Sequence, residues 1–241
     1  MIAHKSVKRR RVHSQVVGVI ATRADLRLAT RMSHPPDLFE LRLDLLVGLE
    51  KELAKKMSML RAPLIITARH PGEGGANNLS LARRRELISR FLPQAQYVDL
   101  ELRSVKAFQS LLDLARRKNV RWIISFHDLG SGPNPRSLHA KARLAKSWGA
   151  DIFKVAVRVD TAAQLLRLLD FALKRDVDLP VSAMGIGKLG AVSRVLLAQC
   201  GSAFVYTSLS EPRVEGQMAL GEFRAALRAF GIRVKSDRSM N

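Results

Sequence analysis

The 241-residue chain predicts a single-domain (β/α)8 TIM barrel, and three observations carry that expectation. Eight short apolar runs recur along the chain, with amphipathic segments of helical period between them. The interval from run to run is that of one βα unit, and no linker or low-complexity segment interrupts it. A chain of this length, 47% hydrophobic, also has the size at which such barrels occur undivided. An open doubly wound sheet meets the same pattern, because a count of repeats does not show closure.

The first run, VVGVIA (Val16 to Ala21), follows a basic block, KRRR (Lys8 to Arg11). Together they imitate the basic and apolar regions of a signal peptide. The run is too short for that and passes into TRADLR, so it reads as strand one. LFELRLD (Leu38 to Asp44), PLIITAR (Pro63 to Arg69) and YVDLEL (Tyr97 to Leu102) follow as strands two to four. WIISFH (Trp122 to His127), DIFKVAV (Asp151 to Val157), LPVSAM (Leu179 to Met184) and AFVYTS (Ala203 to Ser208) complete the eight. Near-continuous apolar runs of this kind suit parallel strands covered on both faces. Helices are expected between them, for example over Leu79 to Leu92, Val105 to Lys118 and Thr161 to Arg175. The boundaries place a mobile basic arm at 1–14, the barrel at 15–232 and a tail at 233–241. No run approaches membrane-spanning length.

A single cysteine, Cys200, excludes a disulfide framework and any multi-cysteine metal site. With no redox scaffold and no export signal, the expected compartment is the cytoplasm. A net charge of +20 is the compositional outlier, and it fits nucleic-acid binding. Against that role, the arginines and lysines are dispersed through every helical segment. Aromatic content is 5%, which leaves few stacking platforms for single strands. The charge therefore reads as a solvated basic surface.

Polar residues sit where the strands should be dry. Strand two carries Glu40, Arg42 and Asp44; strand three carries Thr67 and Arg69. Strand four carries Asp99 and Glu101, strand five carries Ser125 and His127, and strand six carries Lys154 in DIFKVAV. Within each strand they are two apart, so they share a face. They also gather toward the C-terminal ends, where barrel enzymes place their active sites. A single buried ion pair would be structural more often than not; five neighbouring strands doing the same thing are hard to explain as packing. Desolvation and the like charges of Arg42 and Arg69 would favour a neutral amine at Lys154. A neutral amine attacks ketones and aldehydes to form a Schiff base. A structural Lys154–Glu101 pair is compatible with that role. His127 is the acid/base candidate. The other histidines (His4, His13, His34, His70, His139) read as surface residues, since none has a metal-like partner at ligand spacing.

GIGKLG (Gly185 to Gly190) matches the G-x-G-x-x-G pattern of dinucleotide sites. It follows strand seven rather than opening a dinucleotide half, so nicotinamide binding is rejected. Loops after barrel strands seven and eight do bind anions, and Arg194 in the next helix is placed to clamp a carboxylate.

These residues together resemble the type I 3-dehydroquinate dehydratase family, the Schiff-base enzymes of the shikimate pathway of aromatic amino acid biosynthesis. The likeness runs from about Val16 to Phe230 through FELRLDLL, TARHPGEGG, VDLELR, SFHD, DIFKVAV, MGIGKLGAVSR and EGQ, in that order. The resemblance implies a (β/α)8 barrel, a homodimer, no metal and no organic cofactor. It also implies dehydration of 3-dehydroquinate to 3-dehydroshikimate by syn elimination through an imine. Carried onto this chain, it implies that Lys154 forms the imine and His127 shuttles protons. Glu73 would orient the histidine, with Gly74 and Gly75 allowing a close turn. Glu40, Arg42 and Arg69 match substrate-binding positions. Arg194 and Gln217 match residues that grip the substrate carboxylate and close over it.

Two positions depart from the family pattern. Arg213 stands where a serine contacts substrate, and Glu215 replaces a proline before Gly216 and Gln217. Strand one also lacks the family's polar residue. A different Schiff-base barrel enzyme, such as an aldolase, would share the lysine but not the GEGG and EGQ contacts. A basic nucleic-acid-binding barrel would share neither chemistry.

Overall fold

The computed structural model describes residues 14–174 and 176–231; the predicted tail and all but the last residue of the predicted basic arm lie outside the described residues. All eight expected strands form, within a few residues of their predicted ends. They are β1 (Gln15–Ile20), β2 (Leu38–Arg42), β3 (Leu64–Thr67), β4 (Tyr97–Glu101), β5 (Arg121–Asp128), β6 (Ile152–Arg158), β7 (Val181–Ile186) and β8 (Phe204–Ser208). Helices follow each in turn: α1 (Arg23–Ala29), α2 (Glu50–Lys56), α3 (Leu81–Phe91), α4 (Gln109–Arg117), α5 (Pro135–Ser147), α6 (Ala162–Leu173), α7 (Gly190–Gln199) and α8 (Leu220–Ala229).

The strands pair in parallel in the order β7-β6-β5-β4-β3-β2-β1-β8. The seam between β7 and β8 is bridged by the Ala203 N–H donating to Val181 O (2.7 Å) and the Ser182 hydroxyl donating to Phe204 O (2.9 Å). These contacts leave a nearly closed barrel and remove the open-sheet alternative. Ser14, just before β1, is buried, its hydroxyl donating to Ala198 O at 2.9 Å.

The helices start where short polar side chains satisfy their free N–H groups. Thr161 and Gln164 form a reciprocal capping box at α6, and Ser80 caps α3. The segment predicted as one helix over Val105 to Lys118 divides. A 3-10 turn over Leu102–Phe108 leads into α4. The main core lies between the outer strand faces and the helices, around Phe39, Phe91, Phe108, Phe153 and Phe171. A second cluster fills the barrel floor, including Leu38, Ile65, Tyr97, Ile123, Ile152 and Phe204. One surface expectation fails: His139 on α5 is buried, edge-on to Phe171 of α6 with ring centroids 4.9 Å apart. Its apolar ring body packs in the α5–α6 seam as another aromatic would.

Among the described residues no helix is long and apolar enough to cross a membrane. No group of three His, Cys, Asp or Glu side chains among them is placed to hold a metal ion.

Candidate active site

Above the apolar floor the barrel interior turns polar. Lys154 is only 2% exposed. Its Nζ donates to Asp99 Oδ2 at 2.7 Å and to Glu40 Oε1 at 3.2 Å, and lies 3.9 Å from the centre of the Tyr206 ring. Glu40, Asp99, Lys154 and Tyr206 come from β2, β4, β6 and β8. They form one interior layer drawn from alternate strands, as barrel geometry requires.

The same geometry overturns the expected Lys154–Glu101 pair. Along the ladder Glu101 pairs with Ser125, and Ser125 with Lys154, so Glu101 looks level with the lysine. Barrel strands tilt, which offsets the interior layers by about one residue per strand. Two strands away, the residue that meets Lys154 is therefore Asp99. Glu101 instead accepts from Arg84 of α3 (2.5 Å), the Ser104 hydroxyl (3.1 Å) and the His70 N–H (2.8 Å). The sequence also placed Lys154 beside arginines that would disfavour its charge, whereas the structure gives it two carboxylates. Those carboxylates are themselves held. Burial alone would raise Glu40, but Lys154, Arg69, Arg42 and the Thr67 hydroxyl bring it down to about 2. Arg69 Nη2 is 4.0 Å from Glu40 Oε1, and Thr67 donates to that oxygen at 2.8 Å.

His127, at the end of β5, is 7% exposed. Burial first, then Arg69, Lys154 and Arg42, depress it well below the usual histidine range. At neutral pH its ring is an uncharged imidazole. Glu73 Oε2 accepts from the His127 backbone N–H and lies 3.0 Å from Nδ1. With Glu73 ionised, the Nδ1 proton is donated to Oε2, which leaves the Nε2 lone pair uncommitted. Nε2 has no hydrogen-bond partner among the described residues. Glu73 sits on a short 3-10 turn after β3. The chain reverses there through Gly74 (φ +83°), and a Cβ at Gly75 would lie 2.2 Å from Arg69 O. Burial, then the nearby Glu101, raise the Glu73 carboxyl to about 7, against the His127 N–H and Arg103 and Arg69.

The cleft over this layer is lined by Glu40, Arg42, Arg69, His127, Lys154, Arg194, Arg213 and Gln217, with Tyr206 at its base. Glu73 does not line it and stands behind His127. Arg42 is tied to Asp44 by two hydrogen bonds, at 2.9 and 2.7 Å. Arg194 is 2% exposed, and burial lowers it to about 10, so it remains a cation at neutral pH. Its Nε donates to Gly216 O at 3.1 Å. That bond fastens the loop after β8 onto the β7–α7 turn, where the Gly187 N–H donates to Glu215 O at 2.9 Å. Gly216 (φ +77°) is needed at this crossing, since a Cβ would lie 2.4 Å from Gly187 O. In the same loop Gln217 Oε1 accepts from the Arg213 N–H at 2.7 Å. The Arg213 guanidinium lies 3.8 Å from the buried Asp25 of α1.

Asp99 was visible in the sequence as a polar strand residue but not as the lysine's nearest partner. Tyr206 and Asp25 were missed. For Tyr206 the available signal was its inward position on β8, two residues before Ser208. For Asp25 there was none, because its role depends on where the loop after β8 returns. Chemically the cleft combines a buried amine, a base with one free nitrogen and four guanidinium groups. That set can form an imine with an anionic ketone and move a proton beside it.

The family model of type I 3-dehydroquinase matches residues 17–234. A 3-dehydroquinate dehydratase of Shouchella clausii is 32% identical over 80% of this chain and 80% of its own. One from Pyrococcus abyssi is 32% identical over 83% of this chain and 90% of its own. The crystal structure of 3-dehydroquinate dehydratase from Geobacillus kaustophilus superposes with a TM-score of 0.81 at 26% identity, covering 90% of this chain and 91% of that one.

Proposed function

We propose that this chain, which belongs to the type I 3-dehydroquinase family, removes water from its substrate through an imine on Lys154. The chain is a hydro-lyase acting on 3-dehydroquinate; the route and the residue roles are our inference. One observation carries it: a buried amine and an imidazole nitrogen without a partner among the described residues open onto the same arginine-lined cleft.

The cycle starts at the Lys154 ammonium. His127 Nε2 takes one of its protons, and the freed amine pair attacks the ketone carbon. A second proton passes from the nitrogen to the carbonyl oxygen, making it a hydroxyl, which then receives the first proton back from His127 and leaves as water. The nitrogen is now a cationic iminium. His127 Nε2 next removes the proton from the carbon beside the iminium; the C–H electron pair becomes the C=C bond of an enamine, and the C=N π pair moves onto nitrogen. The cation is the electron sink that makes this proton removable. The resulting enamine expels the hydroxyl on the following carbon, which leaves as water with the proton from His127. One water hydrolyses the conjugated iminium, releasing 3-dehydroshikimate and the lysine. Glu73 holds the Nδ1 proton and stabilises the imidazolium whenever Nε2 is protonated.

Glu40 stays a carboxylate throughout, because a group at about 2 is too weak a base to compete with His127. It holds the charge of Nζ together with Asp99. Arg194 grips the substrate carboxylate, and the docked loop carrying Arg213 and Gln217 closes over it. Arg42 and Arg69 orient the substrate hydroxyls and add to burial, the larger cause, in keeping the His127 ring uncharged. The homodimer and the cytoplasmic location belong to the same reading. The test is direct: with 3-dehydroquinate the protein generates enone absorbance, and Lys154→Met generates none. Turnover by Lys154→Met would overturn the imine route.

A further inference from the structure

An ammonium and an iminium are different cations, and the proposed route asks one pocket to hold both. The ammonium has three N–H donors, of which Asp99 (2.7 Å) and Glu40 (3.2 Å) take two. The iminium nitrogen has a single N–H. When the C–N bond forms and the carbonyl oxygen leaves as water, the charge stays at Nζ but one carboxylate hydrogen bond is lost. A cation over an aromatic face needs no hydrogen to be held, only charge at the right distance.

Tyr206 supplies such a face. Its ring centre is 3.9 Å from Nζ, well inside the range in which the attraction is effective. The residue is 3% exposed, so water does not weaken the contact. The ring is also fixed in place. It meets Phe204 at 6.4 Å and 72°, and Phe204 meets Tyr97 edge-on at 5.3 Å. Burial, then Glu40 and Asp99, push the phenol well above its ordinary range, so the ring stays neutral.

We propose that Tyr206 is a further catalytic residue, its ring face stabilising the iminium on Lys154 in place of the hydrogen bond that C–N bond formation removes. This rests on the imine route above. A ring that merely filled space would do its work through shape. One that holds a cation does it through electron density on its face.

The two are separated by fluorination, which withdraws that density while barely changing size. Tyr206 is replaced by Phe, then by mono-, di- and trifluorophenylalanine. Each protein is saturated with 3-dehydroquinate and quenched with borohydride. The ratio of trapped to untrapped Lys154 peptide is then read by mass spectrometry, alongside kcat. The ratio should fall stepwise with fluorine count, by about tenfold from Phe to the trifluoro ring, the scale of a desolvated cation–π contact. Melting temperature should not follow the series. A flat ratio across four folded proteins would overturn the inference alone. Absence of any Lys154 adduct in the unsubstituted protein would overturn the imine route and this inference with it.

Discussion

Replacing Glu73 by glutamine should make the protein more stable and less active, and the stability gain should depend on pH. The Glu73 carboxyl is held at about 7 in the fold against an ordinary 4.5. A carboxyl raised by folding stabilises the native state fully below pH 4.5, and that contribution is lost as pH rises through 7. Above that pH the native state bears the cost of an ionised, buried group. The two values set an upper bound of about 3 kcal/mol, which solvent at the turn reduces to roughly 1–2 kcal/mol. Glutamine carries no such cost and still accepts from His127. Urea unfolding at pH 5 and pH 8 reads the difference. Glu73→Gln should match the wild type more closely at pH 5 and exceed it by about 1 kcal/mol at pH 8, or roughly 3 °C in Tm for a chain of this size. In the wild type, kcat/KM should rise with pH through a limb near 7, since a proton added to the Glu73–His127 pair disables it. The variant should lose that limb and about tenfold or more in kcat. An equal stability difference at both pH values would refute the argument that burial raises this carboxylate.

Three other outcomes follow from contacts at the edge of the site. Arg84→Met leaves the buried Glu101 without its guanidinium partner and should cost about 3–5 kcal/mol in urea unfolding; Arg84→Met/Glu101→Gln should recover most of it. Arg213→Ser should raise KM with little change in kcat, because the guanidinium lines the cleft; an unchanged KM would mean that it serves only Asp25. With a net charge of +20, kcat/KM should fall as ionic strength rises while kcat changes less; a flat profile would show that the charge does not collect substrate.

Much of the fold was legible because both of its signals are local. An apolar run such as DIFKVAV announces a strand, and the amphipathic segment after it announces the covering helix. The polar residues on alternate strand positions likewise announced where the barrel interior stops being dry. What a one-dimensional reading lacks is the stagger between strands. Glu101 is level with Lys154 along the ladder, but the tilt of the barrel puts Asp99 there. Tyr206 escaped for the same reason: its place in the lysine's layer depends on how β8 closes against β7 and β1. His139 looked like a surface residue because it has no metal-like partner at ligand spacing, a signal that says nothing of the Phe171 ring that packs against it from α6. The docking of Gly216 on the β7–α7 turn is a contact between two loops far apart in sequence, and no periodicity encodes it.

The central claim is that Lys154 carries the substrate while His127 moves the protons, and His127→Ala separates the two. The amine remains in that variant, so the imine should still form, slowly, while elimination should fall by about 10²-fold or more. Borohydride treatment of His127→Ala with 3-dehydroquinate, followed by mass spectrometry of the peptide containing Lys154, is the measurement. The account predicts an accumulated adduct on Lys154 with little enone formed. Trapping at another lysine, or normal turnover without the imidazole, would contradict it.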